Sequence, residues 1–278
     1  MGREENVQVF EDTKKMYLNI NKLKNSIGES LSGQRIYPET ESVKKPEKKD
    51  YDTRVVVTRS RSIEAAMNYR GKKVCVHNFA SATNPGGGVE RGSSAQEECL
   101  CRVSTLFPCL STQINFDGFY QPHRNMHNPV YNADCIFTPG VTVFKSDKAV
   151  PELLPENEWM QVDIITCAAP NLRANPSNAM NPYAGNKPAK LSEQELLDIH
   201  KKRGRRILDI AAANGCEVVI LGAFGCGAFR NDPKTVARAY REILNDYDGY
   251  FDTIEFAVYC SPHDIGNYDA FDREMNLL

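Results

Sequence analysis

The stretch EVVILGAF at residues 217–224 runs directly into GCGAFRND at 225–232, and the reading of these residues decides the fold. Val218 to Leu221 is apolar without alternation, which suits a strand covered on both faces. Small residues follow, then Asp232-Pro233, an N-cap and a first-turn proline that open a helix. Upstream, Ser192 with Glu195 forms a capping box for a long helix that ends at Asn214-Gly215, where glycine takes the left-handed C-terminal conformation. Helix, buried strand, glycine-rich turn and helix in succession indicate a parallel sheet.

The pattern continues in both directions. Arg54–Thr58, Lys73–Ala80, Asp163–Ala169 and Thr253–Cys260 are predicted strands, and Cys135–Phe144 is predicted as two short strands bent at Pro139-Gly140. Ile63–Arg70 suits a helix, as does Gln96–Phe107, stopped by Pro108. The class is α/β, with a mostly parallel sheet covered on both faces and no internal repeat. Met16, Ile20, Leu23, Ile27 and Leu31 fall on one stripe of a single amphipathic helix that must pack onto something. Pro38 to Asp50 carries lysines, acids and prolines but almost nothing apolar, so it is an exposed connection. The expected division is residues 1–50 as a docked helical extension and linker, and 51–278 as the main domain.

Composition excludes several classes. A formal charge of -2 and a pI near 6.2 give no basic field for gripping a phosphate backbone, so sequence-specific nucleic-acid binding is not expected and a phosphorylated ligand must be held locally. Nine cysteines, an odd number without a CxxC pair, argue against a disulfide framework and for a reducing compartment. The polar, acidic start Met1–Phe10 is no signal peptide, and no apolar run approaches the ~18 residues of a membrane span. A cytoplasmic location is expected.

In open α/β sheets ligands bind beyond the carboxyl ends of the strands. Two loops stand there. The first reads Asn84-Pro85-Gly86-Gly87-Gly88, then seven residues, then Gln96-Glu97-Glu98 on the first turn of a helix. Three glycines let backbone lie against a ligand. From spacing alone two readings stand: a functional pair of carboxyls, or a capping box of Ser93 with Gln96 or Ser94 with Glu97 that complements the helix dipole. Adjacent helical residues point about 100° apart, so the two glutamates cannot flank a sugar from opposite sides as most glycosidase pairs do. In the second loop, Gly225, Cys226, Gly227 and Ala228 expose backbone N–H groups ahead of a helix, a geometry for a phosphate or diphosphate, with the Phe229 ring beside them. The competing reading is a tight turn with Phe229 in the core.

Other candidates carry less. His123 and His127 sit four apart among Pro122 and Pro129 and are read as a polar loop rather than a metal site. Cys99 and Cys101 have no neighbouring histidine and are read as buried thiols. The Asn/Pro-rich stretch Pro170–Lys190 is long for a loop and has two readings, a cover over the site or inert surface. Neither glycine loop gives the GxGxxG fingerprint of dinucleotide binding.

The GGG, spacer and QEE arrangement, with GCGAFRND downstream, resembles the bacterial-type poly(ADP-ribose) glycohydrolases over nearly the whole chain. The resemblance implies a macrodomain-like three-layer sandwich with a mixed, mostly parallel sheet, plus an N-terminal helical extension. It implies Glu98 as catalytic acid/base and Glu97 and Gln96 as its partners at the ribose hydroxyls. Asn84 and Gly86, Gly87 and Gly88 would lie against ribose and diphosphate. Gly225, Cys226, Gly227 and Ala228 would hold the diphosphate, with Phe229 on the terminal ribose. The implied substrate is poly(ADP-ribose) or another ADP-ribosylated macromolecule and the product ADP-ribose, with no cofactor and no metal. The rivals are a mono(ADP-ribosyl) hydrolase and an ADP-ribose reader, which would gain nothing from adjacent carboxyls facing an anion.

Overall fold

The computed structural model describes residues 1–178, 182–261 and 263–278. In chain order its elements are α1 (Arg3–Asn19), α2 (Asn21–Gly33), β1 (Arg35–Tyr37), β2 (Arg54–Thr58), α3 (Ser62–Met67), β3 (Val74–Phe79), α4 (Gln96–Val103), α5 (Leu106–Leu110) and α6 (Gln113–Asn115). There follow α7 (Gln121–Met126), β4 (Cys135–Val143), β5 (Met160–Cys167), α8 (Glu193–Ala213), β6 (Val218–Leu221), α9 (Pro233–Leu244), β7 (Thr253–Ala257) and α10 (Gly266–Met275).

The strands form one seven-stranded sheet in the order β1-β4-β5-β3-β6-β7-β2. Pairings among β5, β3, β6, β7 and β2 are parallel, and β4 joins β5 and β1 antiparallel. Successive side chains of a strand point to opposite faces, and both faces here are covered. Val74, Val76, Val218 and Ile220 pack with Phe10, Leu100 and Leu106 on one side. Cys75, Val219 and Leu221 pack with Ile207, Leu208, Val236 and Tyr240 on the other. Each aliphatic side chain so buried contributes roughly 1.5–3 kcal/mol. This is the expected three-layer α/β sandwich with a mixed, mostly parallel sheet.

Local signals hold at several boundaries. Ser192 caps α8, reciprocated by Glu195, and Asp232 accepts from Thr235 N–H at the start of α9, whose first residue is Pro233. Four expectations need correction. The stripe from Met16 to Leu31 is not one helix: Ile20 is extended (φ -87°, ψ 114°), and the bend brings Tyr17 and Leu23 together on Phe144, with Leu31 left exposed. The helix from Gln96 stops at Val103, because Ser104 turns extended and pairs with Val143 at the end of β4, with Thr105 N–H donating to Thr142 O at 3.0 Å. Pro108 then lies in the first turn of α5, where no amide donor is needed. Cys135–Val143 is one strand with a register shift between Thr138 and Val141, so Pro139-Gly140 makes a bulge rather than a break. His123 lies on α7, not in a loop.

Residues 1–50 are tied to the rest by buried polar bonds. Asn6 Nδ2 donates to Gly92 O (3.0 Å), Thr13 Oγ1 donates to Arg102 O (2.6 Å), and the hydroxyls of Ser26 and Thr142 are hydrogen-bonded to each other (2.6 Å). The same segment supplies edge strand β1. The linker beyond it lies on the surface, with Lys45 over the rings of Tyr247 and Tyr250.

Candidate active site

Strand β3 ends in polar residues, and α4 begins facing that end. The N-cap of α4 is Ala95, with no side-chain cap, so the capping boxes expected at Ser93 or Ser94 do not form. The three polar side chains of the first turn are instead bonded across to the sheet and the glycine loop. Gln96 Oε1 accepts from Phe79 N–H (2.9 Å) while its Nε2 donates to His77 O (2.8 Å), locking the helix start to the strand. Glu97 accepts from Ser81 N–H (2.7 Å) and from Asn78 Nδ2 (3.2 Å). Glu98 accepts from Gly88 N–H at 2.9 Å.

Both carboxyls close around Gly87. This residue has φ +60°, and a Cβ there would lie 2.5 Å from Glu98 Oε1 and 3.1 Å from Glu97 Oε2. Only glycine fits, on conformational and steric grounds alike. Glu97 and Glu98 are 2% and 7% exposed. Burial, and then the neighbouring Glu98, raises Glu97 from 4.5 to about 8. Glu98 is raised as well, again by burial, against the pull of Gly88 N–H and Arg102. Desolvation outweighs these lowering contacts at the start of the helix. The pair therefore retains a proton close to neutral pH.

The second loop is built around Asn231. Its Nδ2 donates to Pro170 O (2.7 Å), Gly225 O (3.2 Å) and Phe229 O (3.3 Å). Gly225 has φ +79°, and a Cβ there would strike Ala169 at 2.6 Å and Asn231 at 2.8 Å. The N–H groups of Gly225, Gly227, Ala228 and Phe229 donate to no acceptor among the described residues, whereas Cys226 N–H is taken by Ala223 O at 3.1 Å. Such a concentration of unpaired donors suits an anionic group.

The two loops face one cavity of about 690 Å³. Of the residues expected from sequence, Gly87, Gly88, Gln96, Glu97, Glu98, Gly225, Gly227, Ala228 and Phe229 line it. Three lie apart from it. Asn84 accepts from Arg124 Nη2 (3.0 Å), Gly86 packs under Phe107, and the thiol of Cys226 points to Phe224 O. Phe229 is half-buried, touching the core and the cavity at once. Arg173 and Asn178, from the Asn/Pro-rich stretch, also line the cavity, with the Arg173 guanidinium 5.9 Å from the Phe229 ring. Residues 179–181 of that stretch lie outside the described residues.

Sequence reasoning missed Asn78 and Ser81, which hold Glu97, and the opposite end of the cavity, where Arg61 lies 4.1 Å from the Tyr259 ring. One signal was present: a polar His-Asn pair interrupts the apolar run at the carboxyl end of β3. The other residues come from segments distant in sequence and carry no local mark. Cys101 is buried as expected; Cys99 is partly exposed, with its thiol 3.2 Å from Arg102 Nη2. His123 is bonded at both ring nitrogens, to Phe119 O and Asn132 Oδ1.

A parallel-sheet sandwich with a loop of unpaired amides opposite two protonatable carboxyls defines a macrodomain-like fold carrying acid/base groups. Residues 5–146 match the family model described as microbial-type PARG, catalytic domain. A poly(ADP-ribose) glycohydrolase from Thermomonospora curvata, solved with the inhibitor ADP-HPD, shares 27% identity over 97% of this chain and 99% of its own, with a TM-score of 0.80. One from Deinococcus radiodurans, solved with ADP-ribose, shares 32% identity over 90% of this chain and 97% of its own, with a TM-score of 0.75. No curated protein sequence matches the chain. The chain belongs to the microbial-type PARG catalytic domain family.

Proposed function

We propose that this chain is a glycoside hydrolase that cuts the ribose–ribose O-glycosidic bond of poly(ADP-ribose) and releases ADP-ribose, with Glu98 as acid and base. The observation that carries this reading is the buried Glu97–Glu98 pair closed around Gly87, opposite the amide-rich loop in one cavity. The relatives solved with ADP-ribose and with an inhibitor support the ligand class.

The chemistry follows from the protonation state. Glu98, held above the ordinary carboxyl range by burial, gives its proton to the leaving ribose oxygen. An oxocarbenium-like centre develops at the anomeric carbon, and the resulting carboxylate draws a proton from the attacking water. Glu97, fixed by Ser81 and Asn78, orients a ribose hydroxyl. The free amides of Gly225, Gly227, Ala228 and Phe229 hold the diphosphate, and the Phe229 ring packs on the terminal ribose. Asn84 and Gly86 act by shaping the glycine loop, through Arg124 and Phe107.

All nine cysteines are unpaired, which supports a cytoplasmic location, and among the described residues no helix is long and apolar enough to cross a membrane. Incubation with purified poly(ADP-ribose), with released ADP-ribose quantified by chromatography, tests the function. Release supports it. Binding of ADP-ribose without release would make the chain a reader, and release only from mono-ADP-ribosylated protein would make it a mono(ADP-ribosyl) hydrolase.

A further inference from the structure

Beneath the amide-rich loop lies a histidine that touches no part of the cavity. His200 projects from α8, is 1% exposed, and places Nε2 2.8 Å from Asn231 Oδ1. The amide of Asn231 has only one chemically acceptable orientation. Three carbonyls, of Pro170, Gly225 and Phe229, converge on one end of it, and only the NH2 end can donate to them. The opposite end is then a bare acceptor, so His200 must present an Nε2–H.

Resting on the proposed function, we infer that His200 is a positioning residue for diphosphate binding, acting as a fixed Nε2–H donor that locks Asn231 and through it the loop from Gly225 to Phe229. With the proton on Nδ1 instead, two lone pairs would face each other, the Asn231 amide would turn over, and its oxygen would meet three carbonyls. The loop would then lose the bonds that hold its first residue, its ring-bearing residue and Pro170 together. The surroundings keep the required tautomer neutral. His200 Nδ1 has no partner among the described residues, the Phe224 ring stands edge-on at 5.5 Å, and burial lowers the pKa to about 4. The neighbouring Arg203 on the same helix, bonded to Ala168 O and Val130 O, also opposes a second positive charge.

Two substitutions separate donor chemistry from bulk. His200→Gln retains an N–H near the position of Nε2, and His200→Leu retains volume without a donor. Leaving buried polar groups unpaired in the loop raises the ADP-ribose Kd and the polymer KM about tenfold or more in His200→Leu. The proposal expects kcat to stay within about threefold, because Glu98 is untouched, and His200→Gln to recover most of the affinity. Should His200→Leu not fold, Asn231→Ser at the other end of the bond takes its place with the same readings. Unchanged ADP-ribose affinity in the folded variant, or a glutamine variant as weak as the leucine one, would overturn the positioning role. Wild-type protein that fails to bind ADP-ribose would instead overturn the proposed function on which it rests.

Discussion

Glu97→Gln removes a carboxyl that the fold keeps protonated, and its effect on stability has a defined sign and pH window. In the unfolded chain the group titrates at 4.5, and in the folded protein at about 8. Below 4.5 both states hold the proton and ionisation costs the fold nothing. As pH rises towards 8 the unfolded chain gives up its proton while the folded protein does not, so wild-type stability declines. At about 1.4 kcal/mol per tenfold change in proton affinity, the ceiling on that decline is about 5 kcal/mol. Structural relaxation and water entry bring the expected value to about 2–4 kcal/mol. Glutamine has no such dependence. It also replaces an oxygen that accepts from Asn78 Nδ2, a loss of about 1 kcal/mol at every pH. The slope with pH therefore carries the test rather than the offset. Urea unfolding of both proteins at pH 5 and pH 8 should show the variant gaining on wild type at the higher pH. A gap that stays constant, or wild type gaining as pH rises, would refute the assignment of a retained proton to this buried pair.

Other outcomes follow from the same geometry. Gly87→Ala places a methyl against both carboxyls at φ +60° and should lower the rate of ADP-ribose release by about a hundredfold, at a stability cost of about 1–2 kcal/mol, read by single-turnover kinetics and thermal melting. Asn6→Ala removes the buried bond from α1 to Gly92 and should cost about 1–2 kcal/mol in urea unfolding, with kcat reduced more than ADP-ribose affinity. The pH profile of kcat should be flat on the acid side and fall as pH rises through a midpoint above 4.5, because Glu98 must be protonated to act.

Much of this was legible from residues alone. The strands could be read because a parallel sheet buried on both faces demands uninterrupted apolar runs, and Val74–Val76 and Val218–Leu221 supply them. At the carboxyl pair and the amide loop spacing alone left a structural turn or cap as an equal reading, and it was the two motifs occurring together in this order that pointed to a ligand site. The breaks at Ile20 and Ser104 could not be read, since each is imposed by a partner remote in sequence, Phe144 for the first bend and Thr142 for the second. The ligand-facing roles of Asn84, Gly86 and Cys226 came with the family resemblance, and in the structure these three turn instead to Arg124, Phe107 and Phe224. His200 and Asn231 carried no signal, because a histidine in an amphipathic helix and an asparagine before an N-cap each satisfy a local rule.

The central claim is that Glu98 supplies the proton for glycosidic cleavage. Its most direct test is Glu98→Gln, measured for ADP-ribose release from poly(ADP-ribose) and for ADP-ribose binding in parallel. The account predicts a loss of release of about a thousandfold, with the Kd for ADP-ribose within about threefold of wild type. Release within about tenfold of wild type by a variant that binds ADP-ribose normally would contradict it and move the acid/base role to another group in the cavity.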